Sequence, residues 1–219
     1  MSEDTSPNLL QLTPVEARVL GSLMEKELTT PDYYPLTMNS LMLACNQKSN
    51  REPLMNLTLG KVGHTVTQLA ERELVRIDYG ERAQRVLHRL NVVLGLNRKR
   101  LAVLTVLLLR RPQTLNEIRI RTERMADFQG PEEVLAVLEE LMARDPPLVV
   151  CLPKGPGQRE DRYYHSLCGP VEPEAPARTI PPLPTEEPAA TGRIDDLEQR
   201  VAQLEEHLAA LLGRLERKD

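Results

Sequence analysis

A mainly α-helical chain with small β-hairpins, an α+β fold, is what this sequence predicts, and three observations carry that prediction. The 219 residues include no Trp, one Phe and five Tyr, so the core must be aliphatic, which suits helices packed through Leu, Val, Ile, Met and Ala. Apolar residues recur at helical spacing behind capping signals, first at Thr13 and again at Thr114. An order of three helices and a hairpin then occurs twice along the chain.

In Thr13-Pro14-Val15-Glu16 the Thr caps, Pro takes the first helical position and Glu16 closes a capping box. Val15, Val19, Leu20, Leu23, Met24 and Leu28 give this helix an apolar face. Thr37 caps a second helix, with Leu36 and Leu41 as a hydrophobic staple and Met38, Leu41, Met42 and Cys45 on one side. The polar stretch from Asn46 to Pro53 reads as the turn that ends it. A third helix is expected from near Thr58 to Leu74, burying Leu59, Val62, Val66, Leu69, Ala70 and Leu74. Lys61, His64, Gln68 and Arg72 lie nearly opposite that face at 100° per residue. VRIDYGERAQRVLHRL then forms two short strands around a glycine-containing turn. Helix, helix, helix, hairpin is the order of a winged-helix domain.

The second copy begins with Asn97 capping a helix that runs through Arg110, and Thr114 to Glu117 makes another capping box. Gly130-Pro131 opens its third helix, and PLVVCLP and DRYYHSL form a hairpin around KGPGQRE. The helix at 101–109 is apolar nearly all round, so the two copies are expected to pack on each other. The expected organisation is a first winged-helix domain at 11–92, a second at 93–168, a proline-rich linker at 169–192 and a heptad-repeat helix at 193–217. In the last, Ile194, Leu197, Val201, Leu204, Leu208, Leu211 and Leu215 alternate spacings of three and four, the seam of a parallel coiled coil and hence of a homodimer.

Composition narrows the function classes. The first residues, MSEDTSPNLL, lack the basic and apolar regions of a signal peptide, and the apolar run at 101–109 is about half of what a bilayer demands. Cys45, Cys151 and Cys168 form no CxxC pair, and with these features they point to a reduced, cytoplasmic protein. The net charge of −4 conceals a middle segment, 48–124, that carries +9. Such segregation suits a polyanionic partner as well as a solvated surface.

The motifs LTPVEARVLGSLMEKELTTPDYYPLTMNSLMLACNQKSNRE and VLAVLEELMARDPPLVVCLPKGPGQREDRYYHSLCG resemble those of the YceH-like family of bacterial proteins, over about residues 11–170. The resemblance implies a pair of winged-helix domains. It brings no assigned activity and no catalytic residues.

The residues themselves argue against an enzyme. Cys45 and His64 have the types of a nucleophile and base, but Cys45 sits on an apolar helix face, where a thiol is inert. Cys151, His165 and Cys168 lack a fourth zinc ligand at finger or ribbon spacing. No Walker loop, GxGxxG or HExxH occurs. No catalytic residue, cofactor, metal or membrane is therefore expected. The leading expectation is regulatory binding of double-stranded DNA by the first domain. It would use Lys61, His64, Gln68 and Arg72 on the third helix, Arg76, Arg82, Arg85 and Arg89 on the hairpin, and Lys48 and Arg51 on the preceding turn. The other expectation is a protein-interaction scaffold, as tandem winged helices provide in accessory subunits of chromosome-condensation complexes. It would use Glu133, Ala136, Glu140 and Ala143, the outward face of the second copy's third helix.

Overall fold

In the computed structural model, which describes residues 10–80, 83–155 and 157–169, the chain is α+β, with seven α-helices and two small antiparallel sheets among those residues. The heptad helix, all but the first residue of the proline-rich linker, and Arg82 lie outside the described residues. Helix α1 (Pro14–Thr29) starts in the expected capping box, with both Thr13 and Glu16 bonds formed. After a 3-10 turn at Pro31–Tyr33 come β1 (Leu36–Thr37) and α2 (Met38–Cys45), whose N-cap is Thr37. Helix α3 (Leu59–Glu71) leads into β2 (Val75–Tyr79) and β3 (Gln84–His88). β1 pairs antiparallel with β3, Leu36 opposite Val86, so the sheet order is β1-β3-β2.

A single turn, α4 (Leu90–Val93), joins the halves. The second half repeats the order with α5 (Arg98–Leu109), α6 (Leu115–Thr122), α7 (Pro131–Met142), β4 (Val149–Leu152) and β5 (Arg162–His165). Asn97 caps α5, and Thr114 and Glu117 form the second capping box. Even β1 has a counterpart: Gln113, immediately before the α6 cap, bridges Tyr163 on β5.

Helix α5 is buried along its length from Leu101, which follows from its apolar circumference. One side packs on α1, and others meet α6, α7 and β5. Gly21 makes the α1 contact close: a Cβ built there would lie 2.9 Å from Leu109 Cδ2 and 3.1 Å from Leu108 Cβ. The buried residues of both halves form one continuous core. Main-chain bonds cross between the halves as well, from Leu12 N to Leu167 O at 2.7 Å and from Glu52 N to Leu109 O at 2.9 Å.

One residue departs from the expected inward face of α3. Leu59 is the first helical residue and lies exposed, whereas Thr65, buried, takes an inward place. The first turn of α3 projects beyond the core, and the Thr65 hydroxyl stays satisfied by donating to Lys61 O at 2.8 Å.

Candidate nucleic-acid interface

The stretch between α2 and α3 is the polar signal most visible in the sequence, and its polar groups face inward. Arg51 is 2 % exposed. Its guanidinium forms a bidentate pair with Glu25 of α1, Nη1 donating to Oε1 at 3.2 Å and Nη2 donating to Oε2. Nε also donates to Ala44 O at 3.0 Å and Nη1 to Asn50 O at 2.8 Å. Arg18 of α1, also buried, donates to Cys45 O at 3.1 Å and Pro53 O at 2.6 Å. Two arginines thus satisfy carbonyls that α2 leaves open at its C-terminal end, where positive charge is also favoured. Asn46 closes the far side of the turn, donating to Leu57 O and accepting from Leu57 N, both at 2.8 Å. Arg51 therefore departs from the expected phosphate contact: it faces Glu25 and the α2 carbonyls.

Cys45 is buried, and burial raises its thiol pKa, with Arg18 and Arg51 opposing the shift. His64 is exposed on α3, while Cys45 faces the core, so the two share no site. Cys151 is exposed on β4, His165 is buried at the end of β5, and Cys168 is half-buried beyond it. Among the described residues no three His, Cys, Asp or Glu side chains gather as a metal site, and no helix is long and apolar enough to cross a membrane.

The outer face of α3 has the expected exposure. Lys61, His64 and Gln68 are exposed, and their side chains make no hydrogen bond or ion pair to another described residue. Gly60 and Gly63 flank them on the same helix, and a Cβ at either would meet nothing within 4 Å. Arg72 ends the face but turns back, donating to Glu16 Oε1 at 2.9 Å and Gln11 O at 2.8 Å. On the hairpin, Arg76 holds Asp78 at 2.8 Å and Arg89 lies 3.5 Å from Glu73. Arg85 is exposed and donates to Pro35 O at 2.8 Å. Lys48 is exposed on the α2–α3 turn, in a cleft shared with α6.

The matching helix of the second half is built differently. Glu133 accepts from Lys99 Nζ, and Glu140 accepts from Arg100 Nε at 2.7 Å, so both carboxylates fasten α7 to the start of α5. The Lys99 bond, then one from Gln129 N, hold the Glu133 carboxyl below its usual pKa. Ala136 and Ala143 are exposed between and beyond them.

Fold and site together define an α+β protein of two helix–hairpin repeats that presents Lys61, His64 and Gln68 on the solvent-facing side of α3. The chain belongs to the family described as "Protein of unknown function, DUF480", whose pattern covers residues 12–158. It is 46 % identical over 210 residues to a UPF0502 protein of Cellvibrio japonicus, covering 94 % of this chain and 93 % of that one. It is also 46 % identical over 217 residues to a UPF0502 protein of Pseudomonas fluorescens, covering 96 % and 98 %, and 45 % identical over 218 residues to one of Mesorhizobium japonicum, covering 99 % and 98 %.

Proposed function

We propose that the chain is a non-enzymatic tandem winged-helix protein that binds duplex DNA through its first half. The strand pairing supports the winged-helix reading: β1 between the first two helices joins the β2–β3 hairpin, and Gln113 repeats that bridge in the second half. The contrast between α3 and α7 carries the DNA reading. The side chains of Lys61, His64 and Gln68 stand exposed with no described partner, and Gly60 and Gly63 leave room for a groove wall to approach the backbone. Gln68 suits adenine, and Lys61 with Arg85 suits phosphate. Arg76 and Arg89 hold exposed ion pairs, which cost little to exchange for phosphate. On α7 the corresponding charges are carboxylates already bound to Lys99 and Arg100. A scaffold role for that face would rest on Ala136 and Ala143.

Fluorescence anisotropy with a labelled duplex tests the reading. With about six phosphate contacts, affinity should fall about a thousandfold between 50 and 200 mM salt. Lys61→Glu with Arg85→Glu should weaken binding to every sequence and flatten that salt slope, whereas Gln68→Ala should relax sequence preference. No duplex binding at 50 mM salt ends the DNA reading. A partner complex lost on Ala136→Arg, with DNA binding absent in the parent, would establish the scaffold instead.

A further inference from the structure

Between the C-terminal end of α1, the α2–α3 turn and the C-terminal part of α6 lies an open cleft of about 980 Å³. Its charged lining is predominantly cationic: Lys26, Lys48, Arg110, Arg121 and Arg124 against Glu25 and Glu123. Both carboxylates already serve other arginines, Glu25 pairing with Arg51 and Glu123 lying 3.4 Å from Arg119. Arg124 and Lys48 are exposed and have no described partner. Arg121 is held in place by Gln113, whose Oε1 accepts from its Nη1, and lies 3.6 Å from Glu117.

Arg110 is the unusual member. It is 5 % exposed, and its Nη1 is buried with no hydrogen-bond partner. Burial and then the nearby Arg121 push its pKa down to about 10, with Glu25 and Glu52 opposing the shift. It stays charged at neutral pH, so the fold keeps an under-satisfied guanidinium beside a cleft of further cations. Arg51 shows the alternative, with Nε, Nη1 and Nη2 all bonded, whereas no side-chain acceptor or carbonyl among the described residues meets Arg110 Nη1. An anion entering the cleft supplies what the fold withholds, and Ile120 and Met125 give it an apolar wall.

We propose that this cleft binds a small ligand carrying two or more phosphate groups, with Arg110 at its floor and Lys48, Arg121 and Arg124 around its mouth. A small ligand fits better than a nucleic-acid backbone because Arg110 is only 5 % exposed, whereas a duplex phosphate would meet exposed cations first. The inference does not rest on the DNA-binding reading, since it uses neither α3 nor the β2–β3 hairpin.

The test is calorimetric titration of the full chain with pyrophosphate, ATP and sulfate at constant ionic strength. Pyrophosphate and ATP should bind at least tenfold more tightly than sulfate and raise the melting temperature. Arg124→Glu, on the surface, should weaken pyrophosphate at least tenfold without changing helix content. Arg110→Met should abolish binding while raising the melting temperature of the unliganded protein, because it removes a poorly satisfied buried charge. Should that variant fail to fold, Arg124→Glu and Lys48→Glu decide the matter. Equal affinity for pyrophosphate and sulfate, or full affinity in both rim variants, overturns the proposal. Displacement of pyrophosphate by a duplex whose own binding needs Arg110 overturns the small-ligand assignment in favour of a nucleic-acid backbone.

Discussion

Replacing Arg51 with Ala removes the bidentate partner of Glu25 and the donor to Ala44 O in one step. Glu25 keeps only 9 % of its side chain exposed, so its carboxylate would remain buried without its pair. Breaking one side of a buried ion pair costs about 3–5 kcal/mol. Arg110 lies near enough to feel Glu25 and becomes its next cation, which places the expectation at the lower end, about 3 kcal/mol. For a chain of this size that corresponds to a melting temperature lowered by about 6–12 °C, read by calorimetry or by helical circular dichroism. Glu25→Leu combined with Arg51→Met replaces the pair with apolar volume and should recover most of the loss. A fall of less than about 3 °C in Arg51→Ala would refute the architectural role given to the α2–α3 turn.

His165 is 2 % exposed with an unpartnered Nδ1, and burial pushes its pKa down to about 4 from 6.5. The unfolded chain therefore takes up the proton first as pH falls, so this residue's share of stability is complete above about pH 6.5 and is lost towards pH 4, up to about 3 kcal/mol. Urea titrations across that window should show the slope, and His165→Leu should flatten it; an unchanged slope would mean that other groups carry it. Gly21→Val should cost about 3 kcal/mol or more by forcing α1 away from α5, whereas Gly63→Ala, where a Cβ meets nothing within 4 Å, should stabilise by roughly 1 kcal/mol. Equal melting temperatures for these two glycine variants would contradict the close α1–α5 contact.

The helices were legible because their starts are chemical. Thr13, Thr37, Asn97 and Thr114 each cap the helix expected of them. β1, at two residues, and α4, at four, are too short for periodicity to register. The site was less legible, because charge in a sequence does not say which way it faces. Arg18, Ser22 and Glu25 recur at helical spacing and look like the solvated side of α1, yet all three are buried. The signal available was that Arg51 closes a turn opposite that stripe, giving two arginines for one carboxylate and a run of open helix carbonyls. Arg72, Arg76 and Arg89 counted as free cations in a linear reading, but their acidic partners Glu16, Asp78 and Glu73 are fixed only by the fold. Arg110 ends an apolar run and gave no sign of a cleft, since α6 brings Arg121 and Arg124 to it only in three dimensions.

The contact at Gly21 also bears on how such a chain can change over evolutionary time. A repeat whose copies each owned a core could be shortened by one copy and survive. Here α5 surrenders one flank to α1, and α1 is buried on that flank because α5 is there. A deletion that removed either copy would bare a greasy flank on the survivor, with no polar residues in reserve to cover it. Simple loss of one half is therefore closed to this chain, and the two halves are bound to be inherited as one piece.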